Sequence, residues 1–163
     1  MPNPTPTLNI ISPKLFPDKV WNESEVLGAI TWLWYQSPVH RQVDIAEMMA
    51  YVLPVLKNGQ FALFSLGVQP IGYISWAYFD EVAEVHYLQS DRYLRNNSDW
   101  NCGDNIWIIQ WFAPLGHSHQ MRYCCPKCDY RTWLYHYPHF GGTAGFEQRL
   151  TDANRFSRLP EKH

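Results

Sequence analysis

The chain has 163 residues, a formal net charge of −2, 16% aromatic residues and 17% charged residues. That length suits one domain with a real core, and the aromatic content excludes a disordered chain. The balanced charge argues against a nucleic-acid binder, which carries a basic stripe, and no apolar run reaches the ~18–20 residues of a membrane span.

The opening stretch "MPNPTPTLNIISPKLFPDK" holds four prolines before residue 15. It reads as a loose, extended arm over residues 1–20, with a single domain over 21–163. The arm lacks the basic n-region and unbroken apolar h-region of a secretory signal, so a cytoplasmic location is expected. Four cysteines, three of them in "CCPKC", do not form a spaced disulfide framework, and reduced thiols fit better.

"NESEVLGAITWLW" predicts a helix. Asn22 and Glu25 form a capping pattern, and Val26, Leu27, Ile30, Leu33 and Trp34 recur at helical spacing. Pro38 disfavours helical geometry at Ser37, so the helix should stop near Gln36. A second helix follows, capped by Asp44 with Glu47, with Ile45, Met48, Met49, Val52 and Leu56 as its stripe. "QFALFSL" and "IGYISWAYF" read as strands joined by a turn. "EVAEVHYLQSDRYL" fits strand or helix: Val82, Glu84, His86 and Leu88 alternate, while Val85 and Leu88 keep helical spacing. "NIWIIQWFAP" is a strongly apolar strand closed by Pro114, "HSHQMRYC" a short helix and "RTWLYHY" a further strand. A final helix follows the glycine-rich turn at "FGGTAG". The pattern predicts an α/β fold, a mainly antiparallel sheet flanked by helices.

His40 lies in the short link between the first two helices. Histidine is the side chain best suited to move protons near neutral pH, and a turn would bring the hydroxyl of Ser37 close to it. Equally, Ser-Pro could be a plain helix stop and His40 a solvated loop residue. Cys125 and Cys128 have C-x-x-C spacing and are followed by His136 and His139. The gap between the pairs is shorter than in the common zinc finger, so no metal is expected. The nucleotide-binding glycine loops are absent, and "GGTAG" at 141–145 reads as a flexible turn. Trp32, Trp34, Trp76, Trp107 and Trp111 fall on apolar faces and read as core, with one or two able to wall a cavity.

Several ordered motifs go further. "LGAITWLWYQSPVHR" resembles the W-L-W, two residues, S-P-x-H-R signature of the RTX toxin-activating lysine acyltransferases. The resemblance continues through "VLPVLKNGQFALF", "PIGYISWA" and "WNCGDNIWIIQWFAPLG", where the family pattern is W-x-x-G-D-x-x-W-[FI]-I-D-W-I-A-P-F-G. It ends at "HFGG" and spans about residues 24–142. It implies a GNAT-like fold and transfer of a fatty acyl group from acyl carrier protein to lysine ε-amines of an RTX protoxin. No bound cofactor is implied, and the absence of a coenzyme A pyrophosphate loop fits a carrier-protein donor. His40 matches the family's essential histidine, acting as base or carrying the acyl group itself. Ser37 matches a serine that orients the imidazole or binds an oxyanion. Tyr73 and Ser75 match polar positions that line the site. Arg41, Arg92, Arg95 and Arg122 are expected to meet the acidic carrier protein, and a homodimer is a further implied partner.

Gln110 stands where the family pattern has aspartate. A carboxylate there would stabilise the imidazolium, and glutamine carries no charge. Two other readings therefore accompany the acyltransferase: a non-catalytic relative that binds protoxin or carrier protein, and a zinc adaptor built on Cys125, Cys128, His136 and His139.

Overall fold

The computed structural model describes residues 7–89, 94 and 96–123. Local chemistry sets both leading helices. The Asn22 side chain accepts a hydrogen bond from the Glu25 amide at 3.0 Å and starts α1, Glu23–Gln36. Asp44 accepts from the Glu47 amide at 2.8 Å and starts α2, Ile45–Asn58. Each cap satisfies a helix N–H that would otherwise lack a partner. The first helix stops at Ser37, whose backbone is extended as the following proline requires. The second ends at Gly59, where φ of +66° calls for a residue without a Cβ. The stripe of α2 buries Met48, Val52, Val55 and Leu56. Ile45, expected within it, is 74% exposed, because the buried stripe begins one turn later at Met48.

Four strands form one antiparallel sheet in sequential order: β1 (Leu8–Ile11), β2 (Phe61–Leu66), β3 (Gln69–Phe79) and β4 (Asn105–Phe112). The stretch expected to be a loose arm is thus tied down in part. Residues 8–11 pair with β2, Ile10 is buried, and the Ser12 hydroxyl donates to the Phe61 carbonyl at 2.6 Å. Alternation of apolar Leu8 and Ile10 suits an edge strand, and the prolines flank it rather than interrupt it.

The ambiguous segment after β3 is helical, α3 over Glu81–Gln89. Asp80 accepts from the Ala83 amide at 2.8 Å. Its buried positions are Ala83 and Tyr87, while Val82, Val85 and Leu88 stay exposed. The residues that made the segment ambiguous are therefore not the ones that anchor it. Beyond α3, a Cβ on Gly103 would run into the Phe79 carbonyl and the Asp80 amide, so the "CGD" loop can lie against the end of β3 only with glycine there.

Helices cover one face of the sheet. There α1 and α2 pack Val26, Ile30, Leu33, Val52 and Leu56 against Phe61, Leu63, Ala77, Phe79 and Trp107. The other face gathers Ala62, Phe64, Ile74, Trp76, Ile108 and Trp111, with Met121 of α4 (Ser118–Tyr123). The result is one α/β domain, an antiparallel sheet flanked by helices. No described helix is long and apolar enough to cross a membrane. The strand read at "RTWLYHY", the final helix and the "GGTAG" turn lie outside the described residues.

Candidate active site

A bulge decides which side chains of β4 face the helices. Ser75 pairs with Gln110, but its neighbour Trp76 pairs with Ile108, so Ile109 is the extra residue. An uninterrupted strand would put Trp107, Ile109 and Trp111 on one face. The inserted residue changes the parity, as bulges do. Trp107 therefore shares the helix-side cluster with Phe112, and Trp111 joins Ile108 on the opposite side.

His40 sits over this re-aimed end of β4. It opens a short 3-10 turn, His40–Gln42, three residues after the helix stop. Its Nδ1 lies 2.9 Å from the Ser37 hydroxyl, and its backbone N–H points to the same oxygen at 3.4 Å. Its ring packs against Trp34 of α1 at 4.8 Å between centroids and against Phe112 of β4 at 4.5 Å. The ring is half-buried. The Ser37–His40 juxtaposition expected from the turn is thus present.

Tyr73 and Ser75 are fully buried on β3, opposite Phe112 and Gln110 respectively. The Tyr73 ring lies 6.4 Å from Phe112. Burial pushes its phenol well above the usual range, with Ser75 and Trp34 as its polar neighbours acting in the opposite sense. Four buried polar atoms in this region make no well-formed hydrogen bond among the described residues: Gln110 Oε1, and Trp34 Nε1, Tyr73 Oη and Ser75 Oγ, the last three near enough to act on one another. Such groups cost stability unless something meets them, and clusters of them call for an explanation. Gln110 is partly buried and sits two positions from Phe112 on the same face. Its Oε1 accepts no hydrogen bond from a described residue, His40 included.

Arg41 is exposed beside His40. Arg122 falls on α4, and Arg92 and Arg95 lie outside the described residues, as do Cys125, Cys128, His136 and His139. Among the described residues, no group of three or more potential metal ligands comes together. Trp34, Trp76, Trp107 and Trp111 are buried and Trp32 is 37% exposed. The sequence reading did not single out Trp34 and Phe112 as neighbours of the histidine. Trp34 could have been found, since it lies in the last turn of the helix that His40 folds back on. Phe112 depends on the bulge, which strand alternation does not reveal.

The arrangement is a histidine bonded to a serine hydroxyl and packed on Trp34 and Phe112, with Tyr73 beside Phe112. The RTX toxin acyltransferase family model matches residues 19–133. The chain belongs to that family. It is similar to the RTX-II toxin-activating lysine-acyltransferase ApxIIC of Actinobacillus pleuropneumoniae, 42% identical over 97 residues, 60% of each chain. It is 40% identical over 89 residues to the protein-lysine palmitoyltransferase CyaC of Bordetella bronchiseptica, covering 55% of this chain and 48% of that one. It is 39% identical over 95 residues to the protein-lysine myristoyltransferase HlyC of Escherichia coli, covering 58% and 55%. The chain thus spans about half to three-fifths of the length of these relatives.

Proposed function

We propose that this protein is a protein-lysine acyltransferase. It moves a fatty acyl group from the thioester of acyl carrier protein to lysine ε-amines of an RTX protoxin, in the cytoplasm. The observation that carries this reading is the 2.9 Å contact between His40 Nδ1 and the Ser37 hydroxyl, at the motif shared with the family.

A lysine ammonium, with a reference pKa near ~10.4, cannot attack a thioester until it loses a proton. When Nδ1–H donates to Ser37 Oγ, Nε2 is the basic nitrogen. The ammonium first gives up one proton to solvent, and His40 then takes a second from the amine as nitrogen attacks the carbonyl carbon. The tetrahedral intermediate collapses, the C–S bond breaks, and His40 returns the proton to the departing thiolate. The products are an amide and the free carrier thiol. Tyr73, Ser75 and Gln110 supply polar atoms near this chemistry, and the absence of well-formed hydrogen bonds at them supports a role toward substrate. Arg41, exposed beside the base, is placed to meet an acidic carrier.

Mass spectrometry of a co-expressed RTX protoxin tests the reading. A lysine mass gain that disappears with His40→Ala is expected. No acylation by the wild-type chain, or undiminished acylation by a folded His40→Ala protein, overturns it and favours the non-catalytic relative.

A further inference from the structure

Four polar side chains follow one another across the helix-side face of the sheet. Tyr73 and Ser75 stand two residues apart on β3, so both point to that face, and Gln110 of β4 lies directly across from Ser75. Trp34, in the last turn of α1, acts together with Ser75 on the Tyr73 hydroxyl. Tyr73 and Ser75 are fully buried and Trp34 is 4% exposed. Gln110 is only partly buried. Its neighbour on the same face is Phe112, whose ring packs on His40 at 4.5 Å. The amide is therefore one two-residue step from the ring that contacts the base.

The chemistry of these groups gives the series a direction. An indole N–H donates and does not accept, a hydroxyl does both, and an amide oxygen only accepts. Burial raises the Tyr73 phenol, so its hydroxyl keeps the proton it needs to donate. With Oε1 of Gln110 turned inward, Trp34 gives to Tyr73, Tyr73 to Ser75 and Ser75 to Gln110. With the amide nitrogen inward instead, one hydroxyl proton would be left without an acceptor. The buried, poorly bonded end of the amide is indeed Oε1. An aspartate at position 110 would present only acceptors to either side. Glutamine with Oε1 inward leaves Nε2–H2 as a donor on its outer side.

We propose that Trp34, Tyr73 and Ser75 are positioning residues, a one-way hydrogen-bond relay that holds Oε1 of Gln110 inward, so that Nε2–H2 donates to the carbonyl oxygen of the acyl thioester as negative charge develops there. The proposal rests on the acyl-transfer reading. A preorganised N–H contributes most at the oxygen that gains charge. The links of the relay are not well formed in the free protein. They tighten when the carbonyl oxygen is bound, as catalytic hydrogen bonds commonly do.

Trp34→Phe, Tyr73→Phe and Ser75→Ala each break one link and keep the bulk of the side chain. Each should lower kcat for lysine acylation about tenfold with KM within about twofold, because the bond to substrate strengthens in the transition state. Trp34→Phe combined with Ser75→Ala should also fall about tenfold, whereas independent effects would multiply to about a hundredfold. Should Trp34→Phe fail to fold by circular dichroism, Tyr73→Phe with Ser75→Ala completes the same cycle. Gln110→Glu keeps an acceptor and removes the donor. It should lose as much, and Ser75→Ala added to it should change nothing further. The nitrogen-15 NMR signal of the Trp34 indole gives a readout independent of turnover, and it should move in Ser75→Ala although the relay sets Tyr73 between the two residues. Unchanged kcat in Ser75→Ala, losses that multiply, or an indole signal that stays in place overturns the relay. If the wild-type protein transfers no acyl group, the proposed activity has failed, and the indole signal alone decides the relay: movement supports it and its absence overturns it. If His40→Ala is inactive while Ser75→Ala and Gln110→Glu run at the wild-type rate, the base stands and the relay falls.

Discussion

Ile74 and Ser75 are adjacent in the chain, both are buried, and they point to opposite faces of the same sheet. The Ile74 face is filled by aliphatic and aromatic side chains such as Phe64, Trp76 and Ile108. The Ser75 face is also packed, by α1 and α2, but near His40 it holds polar atoms that nothing described satisfies. Poorly bonded polar atoms are thus concentrated on the Ser75 face, while the Ile74 face holds Trp111 Nε1. At its end nearest the histidine those atoms cost the Ser75 face stability. The face alone is not the distinction, since Phe79 and Trp107 on the helix side form an aromatic cluster with Tyr87.

The sharpest way to break this comparison is His40→Ala. Loss of a general base should lower acyl transfer by about 10²–10⁴-fold. Melting should barely change, since the ring is only half-buried. A large fall in stability would make His40 a core residue rather than the centre of a site.

Ile74→Ala should do the reverse. A fully buried isoleucine cut to alanine costs roughly 2–5 kcal/mol, read by urea unfolding, with the rate per folded molecule unchanged. A changed rate would mean that the apolar face also shapes the site.

Alkaline unfolding tests the polar face directly. Burial raises the Tyr73 phenol above its unfolded value near ~10. The stability this confers is present below that value and is lost as pH rises above it, because the unfolded phenol ionises first. The slope is at most about 1.4 kcal/mol per pH unit, and Tyr73→Phe should flatten it above about pH 10 while leaving it unchanged below about pH 9. An identical slope in the variant would contradict the burial argument.

Ser75→Ala sharpens the comparison further. It removes a buried hydroxyl that makes no well-formed hydrogen bond, so stability should hold or rise by up to ~1 kcal/mol. Acyl transfer should fall about tenfold if the hydroxyl serves the substrate. A protein destabilised as much as Ile74→Ala would erase the difference between the faces. The smallest effect is expected for Asp44→Ala, which loads neither face. It should cost ~1 kcal/mol through the lost cap, with no change in turnover per folded molecule.

Much of this was legible in the sequence because it depends on short-range chemistry. Asn22 and Asp44 reach amides three residues away, Pro38 acts on its immediate neighbour, and Ser37 meets His40 within one turn. Those interactions determined both leading helices, the stop between them and the histidine's contact with Ser37. Alternation in "IGYISWAYF" likewise determined that Ser75 and Tyr73 share a face.

The tertiary structure decided what depends on distant partners. Residues 8–11 became a strand because β2 offered an edge to pair with. Ile45 stayed outside the core although its spacing suited the stripe. Above all, one extra residue at Ile109 turned Gln110 and Phe112 toward the helices and Trp111 away from them. A two-residue period cannot register such an insertion, because a bulge arises from how two strands pair and not from either strand alone. The aromatic ring of β4 that packs on the histidine therefore became visible only when β4 was laid against β3.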